Sequence, residues 1–145
     1  MSALTEFKDS LLFEIQKEFW NERGKGARYR LTLIGTDFIK GQVKDPKNID
    51  EIVAYFKKEG FCDDISAEED NFSYTMTIKN CAFKDVRDGF MDKDQQPLSC
   101  PIGNAIMRAI ELQSGLAPEL LPIKRDGDTC VVGVGKIGSA EVTSR

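Results

Sequence analysis

Four cysteines, at positions 62, 81, 100 and 130, and a complete lack of histidine frame the chemistry open to this chain. Without an imidazole there is no Ser-His or Cys-His nucleophile pair, no histidine-ligated haem and no histidine-containing zinc site. Acid–base work would fall to carboxylates, but the pairs Asp63-Asp64 and Glu68-Glu69 lie in turn-like polar segments and read as solvated. What remains is thiol chemistry. Cys81 and Cys100 bracket the stretch NCAFKDVRDGFMDKDQQPLSCPIG, with eighteen residues between them. They can ligate a metal, form a regulated disulfide, or line one cavity. Their spacing matches no C-x-x-C site. Cys130 can join them, although three thiolates would need a carboxylate or water to complete a zinc site. Cys100 follows Ser99 and precedes Pro101, so it stands in the first turn of a helix. The unpaired amides and the dipole there predict a lowered thiol pKa.

Residues 82–98 read as a loop, long for a domain of this size, and such loops are functional lids or disordered segments. Phe83, Phe90 and Met91 stand in it among Lys, Asp and Arg. They either tuck onto the core or form the roof of an apolar cavity. Two other motifs carry less. VVGVGKIG, with Gly133, Gly135 and Gly138, lacks the following helix of a phosphate loop and reads as close backbone approach or a bulge. The basic patch Arg23, Lys25, Arg28 and Arg30 is short and reads as solvated surface.

These residues must be positioned by a chain of 145 residues, enough for one domain with a core. It is 41% hydrophobic and 30% charged, the composition of a soluble globular protein. A net charge of −4 gives no reason to expect a nucleic acid partner. No apolar run approaches the ~20 residues of a membrane span. The N-terminus, with acids inside its apolar pattern, is not a secretory signal. The expectation is a cytoplasmic protein with reduced cysteines.

Leu4, Phe7, Leu11, Leu12, Ile15 and Phe19 recur at near-helical spacing, predicting an amphipathic helix over about 3–22 that packs on the core, broken by Gly24 and Gly26. Residues 27–44 fit a strand by the alternation of Leu31 and Leu33. They also fit a helix by Ile34 and Phe38, with close backbone contacts at Gly35 and Gly41. Asn48, with Glu51 as its capping partner, starts a helix over 49–58 with Ile49, Ile52, Val53 and Phe56 as its stripe, and Gly60 ends it. Phe72, Tyr74, Met76 and Ile78 form the buried side of a strand. The opposite parity runs to Cys81, placing that thiol on the polar face. A strand around 61–68 pairs with this one through the turn at 69–71. Ser99 caps the next helix, which buries Ile102, Ala105, Ile106, Ala109 and Ile110 and stops at Gly115. Leu120–Ile123 and Thr129–Ile137 form a hairpin about Asp126-Gly127, and 139–145 is a polar tail. The sum is a single α+β domain, an antiparallel sheet with helices packed on one side. It divides as an N-terminal helix over 1–26, an α+β domain over 27–137 and a tail over 138–145.

The segments IGTDFIKGQV, NIDEIVAYFKKEGF, SYTMTIKNC, CPIGNAIMRAIELQSG and PIKRDGDTCVVGV, in that order, resemble the 4-vinyl reductase domain family. In fold these domains are similar to the transport-particle subunits of Golgi traffic and the haem-nitric-oxide sensors. The resemblance covers roughly 27–137 and implies that this domain binds a small molecule. It implies an antiparallel sheet with helices on one side, a helix within 27–44, a homodimer, and a pocket for hydrophobic or aromatic molecules. Cys81, Cys100 and Cys130 match three positions of a cysteine site that holds zinc in some members. The fourth position falls near Lys124, where this chain has no cysteine, and that departure counts against zinc.

The leading expectation is therefore a non-catalytic binding, sensor or carrier domain for a hydrophobic or aromatic ligand. Cys81, Phe83, Phe90, Met91, Cys100, Ile106 and Cys130 line its pocket. The rival readings are a cysteine-based redox or zinc sensor using Cys81, Cys100 and Cys130, and a structural subunit of a larger assembly.

Overall fold

The computed structural model describes residues 2–23, 35–97, 99–115 and 118–136, without the side chains of Trp20, Glu22 and Arg23. The expectations at Gly24, Gly26, 27–34, Gly138 and the tail, the basic patch and both segment boundaries lie outside the described residues. Five helices and a five-stranded antiparallel sheet form a single α+β domain among the described residues. The helices are α1 (Ala3–Arg23), α2 (Thr36–Gln42), α3 (Ile49–Lys58), α4 (Lys84–Met91) and α5 (Pro101–Ser114). The strands are β1 (Asp64–Glu69), β2 (Ser73–Lys79), β3 (Glu119–Leu120), β4 (Lys124–Asp126) and β5 (Thr129–Gly135). Their order is β1-β2-β5-β3, with β4 also beside β5.

The alternation in β2 does what its period requires: Tyr74, Met76 and Ile78 are buried, and they pair across the ladder with Val134, Val132 and Cys130 of β5. Against this face α5 lays Ile102, Ala105, Ile106, Ala109 and Ile110, and α3 lays Ile52 and Phe56. Each fully buried Ile, Val, Met or Phe among them contributes roughly 1.5–3 kcal/mol, so this sandwich is the core. Phe72 is the exception on β2. It precedes the strand in the turn opened by Asp70 and is 63% exposed.

The helix starts are local chemistry. Asn48 Oδ1 accepts from the Glu51 amide at 3.1 Å, as expected of a cap. Glu51 does not complete the capping box; its Oε1 takes the Lys44 amide instead. At α5 the cap is Cys100, whose Sγ accepts from the Gly103 amide at 3.3 Å. Ser99, the expected cap, accepts from the fully buried Asn104 through Nδ2 at 2.8 Å. In α2 Ile39 is the buried apolar residue, with Thr36 also buried, and Phe38 is exposed. A Cβ at Gly35 or Gly41 would meet nothing within 4 Å, so neither marks a close backbone contact.

The hairpin arm before Gly127 is two short strands rather than one over 120–123. Both β3 and β4 pair with β5, Leu120 opposite Val134 and Lys124 opposite Val131. Pro122 lies between them, and with no amide hydrogen it interrupts the ladder. The bulge sets Leu121 over the glycines of β5: a Cβ at Gly133 would lie 3.2 Å from Leu121 Cδ1. The glycine run is thus close packing, as expected.

The N-terminal helix departs most from expectation. Leu4, Phe7 and Ile15 of its apolar stripe are exposed, Ile15 at 61%. The half-buried positions are Asp9, Phe13, Gln16 and Phe19, one face at helical spacing. Phe13 makes the dock. Its ring lies 4.7 Å from that of Phe90 on α4 and close over Gly89.

Candidate functional site

The segment between Cys81 and Cys100 is not a long loop. Phe83, Val86 and Phe90 stand at helical spacing, and α4 carries them. The chain reaches α4 through a corner at Asn80, which takes a positive φ of 50°. Its amide donates to Asp128 O at 2.8 Å, and its side chain bridges Asp63 Oδ2 and Lys84 Nζ. That corner ends the strand's parity, so Cys81 turns inward and is buried instead of lying on the polar face. After α4, Gln96 holds the returning chain to Ile123 by two bonds: Ile123 N donates to Oε1 at 2.7 Å and Nε2 donates to Ile123 O at 3.1 Å.

These elements enclose an apolar cavity of about 220 Å³. Its walls come from α1 (Leu12, Ile15, Gln16), the turn at Cys81 and Phe83, α4 (Lys84, Val86, Arg87), the segment from Pro97 to Pro101, Ile123, and β5 (Cys130, Val132). Leu12 and Ile15 are exposed and stand at its rim. Four of the seven expected pocket residues, Cys81, Phe83, Cys100 and Cys130, share this wall. The other three do not. Phe90 is buried beneath Phe13, Met91 packs half-buried against the core, and Ile106 lies within the core under α5.

The three cavity thiols are free. Burial pushes Cys100 up to about 12; the amides of Gly103 and Ile102 pull the other way and lose. The expected lowering of this thiol is therefore reversed, because loss of water outweighs the helix start. Burial likewise pushes Cys81 up to about 11, against the Phe83 amide, which donates to its Sγ at 3.4 Å. Cys130 is also raised by burial, with the Arg87 guanidinium opposing. Such thiols stay protonated at neutral pH, when a thiolate is what attacks or ligates. Among the described residues no three cysteine, aspartate or glutamate side chains converge as a metal site would require. The thiols act here as small, polarizable wall groups.

Beside Lys84 and Ser99, two polar groups in this wall carry unpartnered buried atoms, and sequence reasoning missed both. Arg87 is 6% exposed. Its Nε donates to Asp88 Oδ1 at 2.9 Å and Nη2 to Gly127 O at 3.0 Å. Nη1 is buried and makes no hydrogen bond among the described residues, although the guanidinium lies near enough to Cys130 to act on that thiol. Asp88 is shared with Arg125 at 2.9 Å, and Arg125 reaches Asp92 at 2.7 Å. In the same lining, Gln16 Oε1 is also buried without a hydrogen-bond partner among the described residues. The signal for Arg87 was present: it falls on the same helical face as Phe83, Val86 and Phe90. Gln16 left none.

No known protein-family model matches the chain, and a search of curated proteins finds no match either. No helix among the described residues is long and apolar enough to cross a membrane.

Proposed function

We propose that this is a non-catalytic binding domain, a sensor or carrier, for a hydrophobic or aromatic small molecule. The observation that carries the reading is the apolar cavity walled by Cys81, Phe83, Cys100 and Cys130. An engineered apolar cavity of about 150 Å³ stays dry and takes up benzene, so 220 Å³ suits a ligand of one to two rings. The resemblance to the 4-vinyl reductase domains belongs to the same reading. Four free thiols, three of them buried, favour a reducing compartment such as the cytoplasm. The test is titration with 2-methylnaphthalene, followed by its own fluorescence. Saturable one-to-one binding is expected, lost in Val132→Phe, which fills the cavity from β5. Absence of saturable binding to the wild-type protein would sink the reading.

The homodimer is a second proposal with its own support. The exposed Leu4, Phe7, Leu11 and Ile15 form one apolar stripe along α1, suited to a second copy of the same helix. Sedimentation equilibrium tests it: a dimer that dissociates on Phe7→Glu is expected, and a monomer at all concentrations rules it out.

A further inference from the structure

The cavity holds a charged group that its apolar walls do not need. Arg87 is buried, and two faces of its guanidinium are engaged, by Asp88 and by the Gly127 carbonyl. Beyond these the guanidinium engages only the Cys130 thiol, a weak acceptor, and Nη1 has no hydrogen-bond partner among the described residues. A buried donor left unmade is costly, and a charged one more so. For packing alone, a Met or Leu on this face of α4 would serve better. The balancing charges lie on the wet side: Asp88 is 37% and Asp92 68% exposed. Water screens them, while the guanidinium faces a largely apolar cavity lining. Gln16, on α1, adds a second hydrogen-bonding group to the cavity lining, where its terminal amide can offer either an oxygen or an NH₂.

We propose that the natural ligand is an amphipathic acid. Its one- or two-ring body, or an aliphatic one of similar size, fills the cavity, and its carboxylate pairs with Arg87 Nη1 while Gln16 closes over the head group. The inference rests on the cavity reading above and adds the head-group class to it. Asp88 and the Gly127 carbonyl hold the guanidinium rigidly before binding, so little ordering cost remains when the acid arrives. The anion replaces lost water with a charge-assisted hydrogen bond.

The experiment compares two probes of nearly equal shape, 2-naphthoate and the neutral 2-naphthamide, with 2-methylnaphthalene as the reporter of the cavity itself. On the wild-type protein 2-naphthoate should bind roughly tenfold to a hundredfold tighter than 2-naphthamide, the range for a hydrogen bond to a charged group. Arg87→Met should abolish this preference, and Arg87→Lys should restore part of it. Equal affinity of acid and amide for the wild type, with 2-methylnaphthalene still bound, overturns the acid and leaves the cavity standing. If no probe binds the wild type, both readings fall. The wild-type comparison needs no variant, so a poorly folded Arg87→Met does not blunt it.

Discussion

Gly89→Ala should loosen α1 while making α4 a better helix, and the two effects can be separated. Gly89 lies within α4, where alanine is worth ~1 kcal/mol over glycine. A Cβ there would stand 2.9 Å from Phe13 Cδ2 and 3.1 Å from Cε2. The ring has little room to retreat. It rests against Phe90 at 4.7 Å between centroids, and Lys93 Nζ lies 5.4 Å from its centre. Overpacking of this kind costs about 1–3 kcal/mol. The helix-propensity gain exists whether or not α1 is docked, so it cancels from the docking equilibrium. The clash exists only in the docked state. Opening of α1 should therefore become easier by the whole clash, and its amides should exchange roughly five- to a hundredfold faster, while β2, β5 and α5 keep their protection. Hydrogen exchange read by mass spectrometry resolves these segments. In a Phe13→Ala background the clash is gone, and Gly89→Ala should then stabilise by ~1 kcal/mol. If Gly89→Ala has the same effect in both backgrounds, or leaves α1 protection unchanged, Phe13 is not seated on Gly89 and the cavity loses the wall that α1 provides.

Gln96→Ala removes both bonds to Ile123 and should cost about 1–2 kcal/mol; a stopped-flow trace should show faster entry and exit of 2-methylnaphthalene, and unchanged rates would mean the segment is not a cover. Asn48→Ala should cost about 1 kcal/mol of stability, read as a lower denaturation midpoint with an unchanged slope, as for any lost cap. Stability should fall as pH rises from 9 towards 12: the folded thiols of Cys81 and Cys100 hold their protons to about 11 and 12, the unfolded ones release theirs from the ordinary 9.0, so the unfolded state binds fewer protons over that window. Melts of the wild type and of Cys81→Ala/Cys100→Ala at pH 8 and pH 10 check this; the double variant should lose less on going to pH 10, and an equal loss refutes it.

The parts of this fold that were legible in the sequence are those fixed by one period or one cap. The alternation of β2, the stripe of α3 and the buried face of α5 all follow from residues a few positions apart. The misreadings share a different cause. Cys81 was assigned to the polar face by extending a period through Asn80, whose positive φ depends on contacts with Asp63 and Asp128 distant in sequence. Cys100 was assigned a lowered pKa from its helix start, but the desolvation that decides it comes from elements the chain folds over it. The apolar stripe of α1 was real, yet the helix docks through Phe13 because glycine at 89 leaves a seat for that ring. In each case a local rule held until a tertiary contact outweighed it.

Those overrides are not scattered. Asn80 turns the chain so that Cys81 enters the cavity wall; Gly89 brings α1 down onto α4; Arg87 puts a charge on an otherwise apolar helical face; Gln16 buries an amide oxygen. Arg87 and Gln16 line one enclosure, Asn80 leads the chain into its wall at Cys81, and Gly89 seats the helix that flanks it. A chain selected for stability alone has cheaper residues for each of these positions: a regular strand end, alanine in the helix, a leucine at 87 and another at 16. Local inconsistency of this sort is expected where function sets the residue. The thiols fit the same account. With pKa values raised they bring neither charge nor nucleophile to the wall, so among the described residues the charged group there with an unpartnered donor is Arg87. A wholly apolar ligand would leave that donor unpartnered and keep the cost of burying the guanidinium. An acid would satisfy it, so the affinity gap between 2-naphthoate and its amide measures the reason for having arginine there at all.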